Sequence, residues 1–555
     1  MTDLTAPLVE KGLALHRAGA VAEAARTYSQ ALAQDPRNTD ALCYLALIFC
    51  QHGQFAKAID LLRQATDVEP QNARAHNLLG RAQHGIGQCD TALASFDAAL
   101  RCQPDLAEAH GHRAAVLNDL GRPEEALASY EQALRLDPTS FEDWSNRGAT
   151  LRMLGREEEA LASFDRAVAL NPQMAEMHIN RGNILSILDR FDEAVAAYDR
   201  AIALNPNISQ AYAQKGLTHK NLDQLGEARS LVEKAMAMDP NNSTVAFALA
   251  QVLLLQGEWR QAWPHYERRV QLANPPYRPL PSNRWNLEGP DQYRLVILTE
   301  QGLGDAIQFG RYASLLAARG HAVTVLTSPV LAPLLSSLAG VERVITSVEE
   351  LAKDSRPFRW VPLMSVPRAL HLTPNAIPAQ DPYLSVEPSR VAAWGSRLGQ
   401  QGFKVGIAWQ PARRDRSAPL AAFAPLAEID GVRLISLQKQ PGTAQIDHVP
   451  FAGRIERPAD EADTSAGALL DTAAVIMNLD LVVSVDTMAA HLAGALGRPV
   501  FVALRHVADW RWLRRRDDSP FYPTMRLFRQ PVPGDWNSTF NQIAQAVRAL
   551  TQPGG

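Results

Sequence analysis

Cysteine is scarce: four in 555 residues, Cys43, Cys50, Cys89 and Cys102, with no CxxC pair among them. That excludes a disulfide framework and a paired-thiolate zinc site, and it fits small core or surface residues in a reducing compartment. Long apolar runs are missing too. No stretch approaches the ~20 residues that cross a bilayer, and no signal-type apolar core opens the chain. The net charge is only −4, which favours neither nucleic acid nor an anionic membrane as partner. There is no GxxxxGK[ST] loop and no HExxH, so P-loop and zinc-protease chemistry lack support. The expectation is a cytoplasmic protein with no membrane insertion. Its length suggests about two to four domains.

What the chain does have is periodicity. Pro36, Pro70, Pro104, Pro138, Pro172, Pro206 and Pro240 stand 34 residues apart. Such spacing marks a tandem array. With repeats starting at residues 5, 39, 73, 107, 141, 175, 209 and 243, position 20 is alanine in all eight. Position 27 is alanine in the first seven, and position 8 is always Gly or Ala. Small residues at fixed places let helices approach closely. Position 24 is mostly large, as in Tyr28, Phe96 and Tyr198, and fills the wedge between repeats. Position 15 is Gly, or Asp at Asp189 and Asp223, and ends the first helix of each pair. The eighth repeat departs: Arg269 takes the small position, Asn274 replaces the proline, and Pro264 interrupts its second helix. It reads as a capping or docking unit.

These positions resemble the tetratricopeptide repeat, over residues 5–276. The resemblance implies an α-solenoid superhelix whose groove, lined by first helices, binds a protein or peptide. Groove candidates at position 6 are His112, Asn146, Asn180 and Gln214. Position 7 holds Arg113, Arg147, Arg181 and Lys215. Two readings of these stay open: solvated helix charges, or a polar ladder gripping an acceptor backbone.

From residue 293 the texture changes. Strand patterns at 294–299 and 321–327 flank a helical pattern at 306–319, with Gly302 and Gly304 in the first turn. That is a βαβ unit. Ile307 stands where the dinucleotide fingerprint needs its third glycine, which disfavours a nicotinamide cofactor. A second unit comes next, with strands at 404–409, 432–437, 481–485 and 499–504 and a final helix near 540–550. Residues 277–292, rich in proline, read as a stiff linker, and 386–402 as a hinge between halves 293–385 and 403–552.

Several segments carry a second resemblance. They are 300–305 (EQGLGD), 406–409 (GIAW), 416–420 (RSAPL), 436–438 (SLQ), 486–491 (DTMAAH), 509–512 (DWRW) and 518–523 (DSPFYP). Together they resemble the sugar-transferring domains that follow tetratricopeptide repeats in bacteria. They are distantly similar to heptosyltransferases and, in plan, to O-linked N-acetylglucosamine transferases. The resemblance implies a GT-B-type pair of Rossmann-like domains and inverting transfer from a nucleotide sugar to a protein acceptor. No DxD motif is present, so transfer without a metal or other cofactor is expected. Asp305 is carried over as general base, though a helix cap would also place Asp there. The donor-site candidates are Gln301, Gly302, Gly304, Trp409, Arg414, Arg416, Ser417, Gln438, Lys439, Asp486, Thr487, Met488 and His491. Arg414 and Arg416 would neutralise a leaving diphosphate, and the turn at 486–488 would offer free N–H groups. Gln438 and Lys439 would meet the nucleoside. His491 also reads as a structural residue, and Trp510 and Trp512 as packing. His371 is the alternative base. An interaction scaffold with an idle nucleotide-binding domain, and transfer to a lipid or saccharide, remain as rival readings.

Overall fold

The computed structural model describes residues 5–272, 280, 284–285, 293–300, 302–354, 356–378, 382–411, 416–440, 442–458, 462–463 and 469–552. Gln301, Arg414 and most of the 277–292 linker lie outside them. The chain divides into two compact bodies, Met1–Gln214 and Lys215–Gly555. The repeat pattern in the sequence runs to residue 276. Residues 215–276 of the array therefore fall in the second body.

Helices in pairs succeed one another from Ala6 to Tyr266, among them Ala73–Gly85 with Cys89–Cys102 and Phe141–Met153 with Glu157–Leu170. The small residues are where the pairs touch. All eight position-20 alanines and all seven position-27 alanines are fully buried. A Cβ on Gly80 would sit 2.7 Å from the Phe96 ring, and one on Gly182 2.7 Å from the Tyr198 ring. The large position-24 ring thus lies over the small residue of its own repeat. It also meets position 6 of the next: Tyr28 stacks on Tyr44 at 5.4 Å, and Phe96 leans on His112 at 5.7 Å. Position 15 has positive φ at Gly19, Gly53, Gly87, Gly121, Gly155 and Gly257, and at Asp189 and Asp223. That backbone conformation is why glycine dominates there.

Two parallel sheets occupy the C-terminal part. The first has the order β3-β2-β1-β4, from β1 (Arg294–Leu298), β2 (Val323–Leu326), β3 (Arg343–Ile345) and β4 (Phe358–Pro362). The second contains β5 (Phe403–Ala408), β6 (Val432–Ser436), β7 (Ile455–Glu456), β8 (Leu481–Val485), β9 (Val500–Leu504) and β10 (Met525–Arg529). Its order is β10-β9-β8-β5-β6-β7. Both are doubly wound, with β1 and β5 at the place where strand order reverses. Every residue of β1 and β8 is buried, as two-sided parallel strands require.

Residues 386–402, expected as a hinge, hold the helix Pro388–Leu398. It packs beside the helix Leu470–Met477, with the Trp394 indole donating to Asp471 at 3.1 Å. Proline at its first turn starts the helix, which single-residue hinge signals do not reveal. Of the linker, Trp285 is buried and its N–H donates to the Trp360 carbonyl on β4 at 2.8 Å.

Within the second body, the eighth repeat docks on the sheets. Trp259, Trp263 and Tyr266 surround Trp510 with ring centroids 5.1–6.5 Å away. Beside them the buried Arg269 donates to Glu300 at 2.6 and 3.0 Å, directly after β1. Of the residues by which this repeat departs from the 34-residue pattern, Arg269 is a docking residue.

Candidate functional site

In the array, the three position-7 arginines are already employed. Arg113 donates to Asp97 at 2.7 Å and to Ser129 at 2.6 Å. Arg147 donates to Ser163 at 2.7 Å and reaches Glu131 at 3.4 Å, and Arg181 donates to Asp165 at 2.6 Å. The acids are position 25 of the preceding repeat, so this ladder ties repeat to repeat. A second ladder joins position 4 to the preceding proline carbonyl: His76 to Pro70, His110 to Pro104, Trp144 to Pro138 and His178 to Pro172, each at 2.9–3.0 Å. Of the position-6 candidates, Asn146 is exposed, and Asn180 and Gln214 are half-buried.

His112, half-buried, is also bonded within the array. Its Nδ1 lies 3.0 Å from Asn77 Oδ1, and its ring leans on Phe96. Burial, with Arg81 and His84 adding to it, pushes its pKa down to about 4. Above pH 6.5 the ring is neutral in both the folded and the unfolded chain, and its contribution to stability is complete. Between pH 6.5 and about 4 only the unfolded chain takes the proton, so stability falls as pH falls. At about 1.4 kcal/mol per pH unit, the loss reaches at most about 3 kcal/mol. Denaturation followed by far-UV circular dichroism at pH 7 and 4.5 is expected to show a smaller acid loss in His112→Gln than in the wild type.

The second body holds a cleft of about 1010 Å³. Its floor is built from the segments that leave the strands at their carboxyl ends: Gly302–Asp305 after β1, Ala408 and Gln410 at the end of β5, Leu437–Gln440 after β6, Asp486–Ala489 after β8, and Ala508–Arg511 after β9. In doubly wound sheets this edge, where strand order reverses, is where ligands bind. Two helices begin here, Leu303–Ala318 and Met488–Ala495. They approach so closely that a Cβ on Gly304 would lie 3.0 Å from the His491 ring and 3.5 Å from Met488 Cα. A side chain at residue 304 would press on the His491 ring, which would have to give by a few tenths of an ångström.

Of the residues expected to form the site, Gly302, Gly304, Asp305, Arg416, Gln438, Lys439, Asp486, Thr487, Met488 and His491 line this cleft. Others do not. Trp409 is fully buried in the core against Phe423, because the strand face on which it falls points inward. The buried Ser417 hydroxyl has no hydrogen-bond partner among the described residues and lies outside the lining. His371, with φ of 51°, is exposed and also lies outside the lining.

The cleft's charges are arranged as an alternating chain. Arg416 donates to Asp486 at 2.9 Å and Asp509 at 3.1 Å. Arg511 donates to Asp509 at 2.9 and 3.1 Å and pairs with Asp305. The N-cap of the helix Leu303–Ala318 is Gly302, not Asp305; the Asp305 carboxylate stands at the third helical position and reaches back to accept the Gly302 N–H at 3.0 Å. Burial pushes the Asp486 carboxyl upward, but hydrogen bonding to His491 and the charge of Arg416 outweigh it, and its pKa is lowered. Asp509 is pushed above the usual carboxylate range, chiefly by burial; Arg416 opposes this and Asp486 adds to it.

Three of the lining side chains also have partners in the scaffold. The Gln438 amide accepts from the N–H groups of Trp409 and Gln410 and donates to the carbonyls of Gln410 and Lys439, all within 2.8–3.0 Å. Lys439 is held by Asp463 at 2.8 Å and the Ala462 carbonyl at 3.0 Å. His491 is buried, stacks on Trp512 at 5.2 Å and meets the Tyr522 hydroxyl at 3.2 Å. Sequence reasoning gives no role to Asp509 or Arg511, although their segment stands out. It misses Lys220, Gln251 and Tyr266, which line the cleft from the last repeats. No local pattern announces that a repeat helix lies against a sheet edge.

Tetratricopeptide repeats cover about the first 260 residues. Family models described as tetratricopeptide repeat match residues 15–82, 49–116 and 222–262, residues 107–140 and 175–208, and residues 129–162 and 197–230. The chain is similar to protein FlbA of Caulobacter vibrioides, 29% identical over 328 residues, 54% of this chain and 54% of FlbA. It thus spans about half the length of that curated relative. Among solved structures, it is similar to MamA: 25% identity, TM-score 0.28, covering 29% of this chain and 95% of MamA. It is also similar to YrrB, described as a TPR protein with an unusual peptide-binding site: 22% identity, TM-score 0.31, covering 34% of this chain and 96% of YrrB.

Proposed function

We propose that the protein is a glycosyltransferase of GT-B type that moves a sugar from a nucleotide-activated donor to a protein acceptor recruited by the repeats. The observation that carries this reading is the convergence of both sheets' carboxyl edges, and of two helix N-termini, on one cleft. A cleft of that volume suits a nucleotide sugar. N-terminal N–H groups together with Arg416 and Arg511 would stabilise the diphosphate as it leaves. Asp305 would take the proton of the attacking acceptor hydroxyl. Inversion at the anomeric carbon goes with this reading.

One observation favours the rival, an interaction scaffold with an idle cleft: Arg416, Arg511 and Lys439 are each held by a carboxylate. A thermal-shift screen of the full chain against nucleotide sugars and free nucleotides tests donor binding, and release of free sugar or its transfer from any donor that binds then separates the enzyme from an idle nucleotide-binding scaffold. A donor at 100 times its Kd is expected to stabilise the protein by about 2.7 kcal/mol. No shift with any nucleotide would favour the scaffold.

A further inference from the structure

Away from the cleft, three potential metal ligands from three successive helices meet at one junction of the array. His84 lies near the end of Ala73–Gly85, Cys89 opens Cys89–Cys102, and Asp119 closes Ala107–Asp119. His84 Nε2 is 2.6 Å from Asp119 Oδ2, and a ligand atom of each of the three lies within 4.8 Å of the other two. Zinc holds nitrogen and oxygen at about 2.0–2.2 Å and thiolate sulfur at about 2.3 Å, so the three need only small side-chain rotations to share one ion.

The array supplies its own comparison. At the first junction, His16 meets Gln51 in the same register, 3.3 Å apart, but Val21 stands where the third repeat has Cys89. That pair is a plain hydrogen bond. Only the junction of repeats three and four adds both a carboxylate and a thiol. Elsewhere the Cys89 position is mostly apolar, as in Phe55, Phe191, Leu225 and Trp259. His84 and Cys89 are half-buried and Asp119 is exposed, so an ion can enter from solvent.

We propose that His84, Cys89 and Asp119 form a site for a divalent transition metal of the zinc class, joining repeats three and four, with a fourth position open to water. This site stands apart from the proposed transfer chemistry. On binding, the thiol proton leaves to solvent and the sulfur coordinates as thiolate. His84 coordinates through Nε2, so the Nε2 proton it shares with Asp119 in the absence of metal is also given up to solvent, leaving the neutral ring protonated on Nδ1. No electron is exchanged.

The test is a titration of tag-free full-length protein with cobalt(II). The expected result is a tetrahedral visible spectrum and a near-ultraviolet thiolate-to-cobalt band, both saturating at a single equivalent and both abolished by zinc. Cys89→Ser is expected to remove the thiolate band, Asp119→Asn to weaken binding at least tenfold, and Cys50→Ser to change neither. His84→Gln, checked for folding by circular dichroism, should lose the tetrahedral spectrum. The absence of any thiolate band, or its persistence in Cys89→Ser, would overturn the proposal.

Discussion

Replacing Arg269 with alanine is expected to cost about 3–5 kcal/mol of stability, because it strands a buried charge. The Arg269 and Glu300 side chains are 1% and 0% exposed. Arg269 also donates to Ser365 at 3.0 Å and to Glu267 at 3.2 Å, and Glu300 accepts the Met364 N–H at 2.8 Å. Burial alone would push the guanidinium pKa down; the charge and hydrogen bonds of Glu300 more than offset this and keep it charged. Without the cation, Glu300 must stay buried unpaired or take up a proton. The double variant Arg269→Met, Glu300→Gln is therefore expected to recover at least half the loss, since glutamine leaves no charge and still accepts from Met364. Nine of the ten tryptophans lie beyond residue 214, so denaturation followed by tryptophan fluorescence reports this body. A cost below about 1 kcal/mol for Arg269→Ala would mean that water reaches the pair.

On the proposed transfer function, Asp305→Asn is expected to lower sugar transfer by about 10²–10⁴-fold, the range of general-base catalysis. Stability should change by less than about 1 kcal/mol, the usual worth of a helix-capping contact. Asparagine still offers an oxygen to the Gly302 N–H but cannot accept the acceptor's proton. Arg511 keeps Asp509 as its partner, so no charge is stranded. The paired measurement divides the two roles of Asp305. Lost transfer with unchanged stability identifies a base. Unchanged transfer would leave Asp305 a partner of the Gly302 N–H and of Arg511, and the base would be sought elsewhere in the cleft.

The repeats were legible because their residues answer to local rules. Alanine at two helix faces, glycine or Asp at a positive-φ turn, and proline after the second helix each reflect near neighbours in sequence. The parallel strands were legible as short apolar runs, and β8 falls on the segment expected. Gly302–Asp305 and Asp486–Met488 could be placed together because each comes after a strand and opens a helix. Trp409 misled because its side chain turns into the core, whereas Gln438 lines the cleft and also braces the loops around it. Arg511, Lys220 and Tyr266 come to the cleft through tertiary packing alone. The helix Pro388–Leu398 was hidden by a connection that looked like a boundary.

The two bonding ladders of the array have a consequence for how such a chain varies. Each position-7 arginine reaches only one repeat back, and each position-4 ring reaches only the proline turn just before it. Excising residues 141–174 would bring Arg181 to Glu131 in place of Asp165, one acid for another at the same register. Whole units are thus interchangeable parts, and most junctions tolerate duplication or loss without redesign. The exceptions are the junctions that carry private chemistry: His84, Cys89 and Asp119, and the docking residues around Arg269. Natural variation in array length should spare those places and accumulate between them.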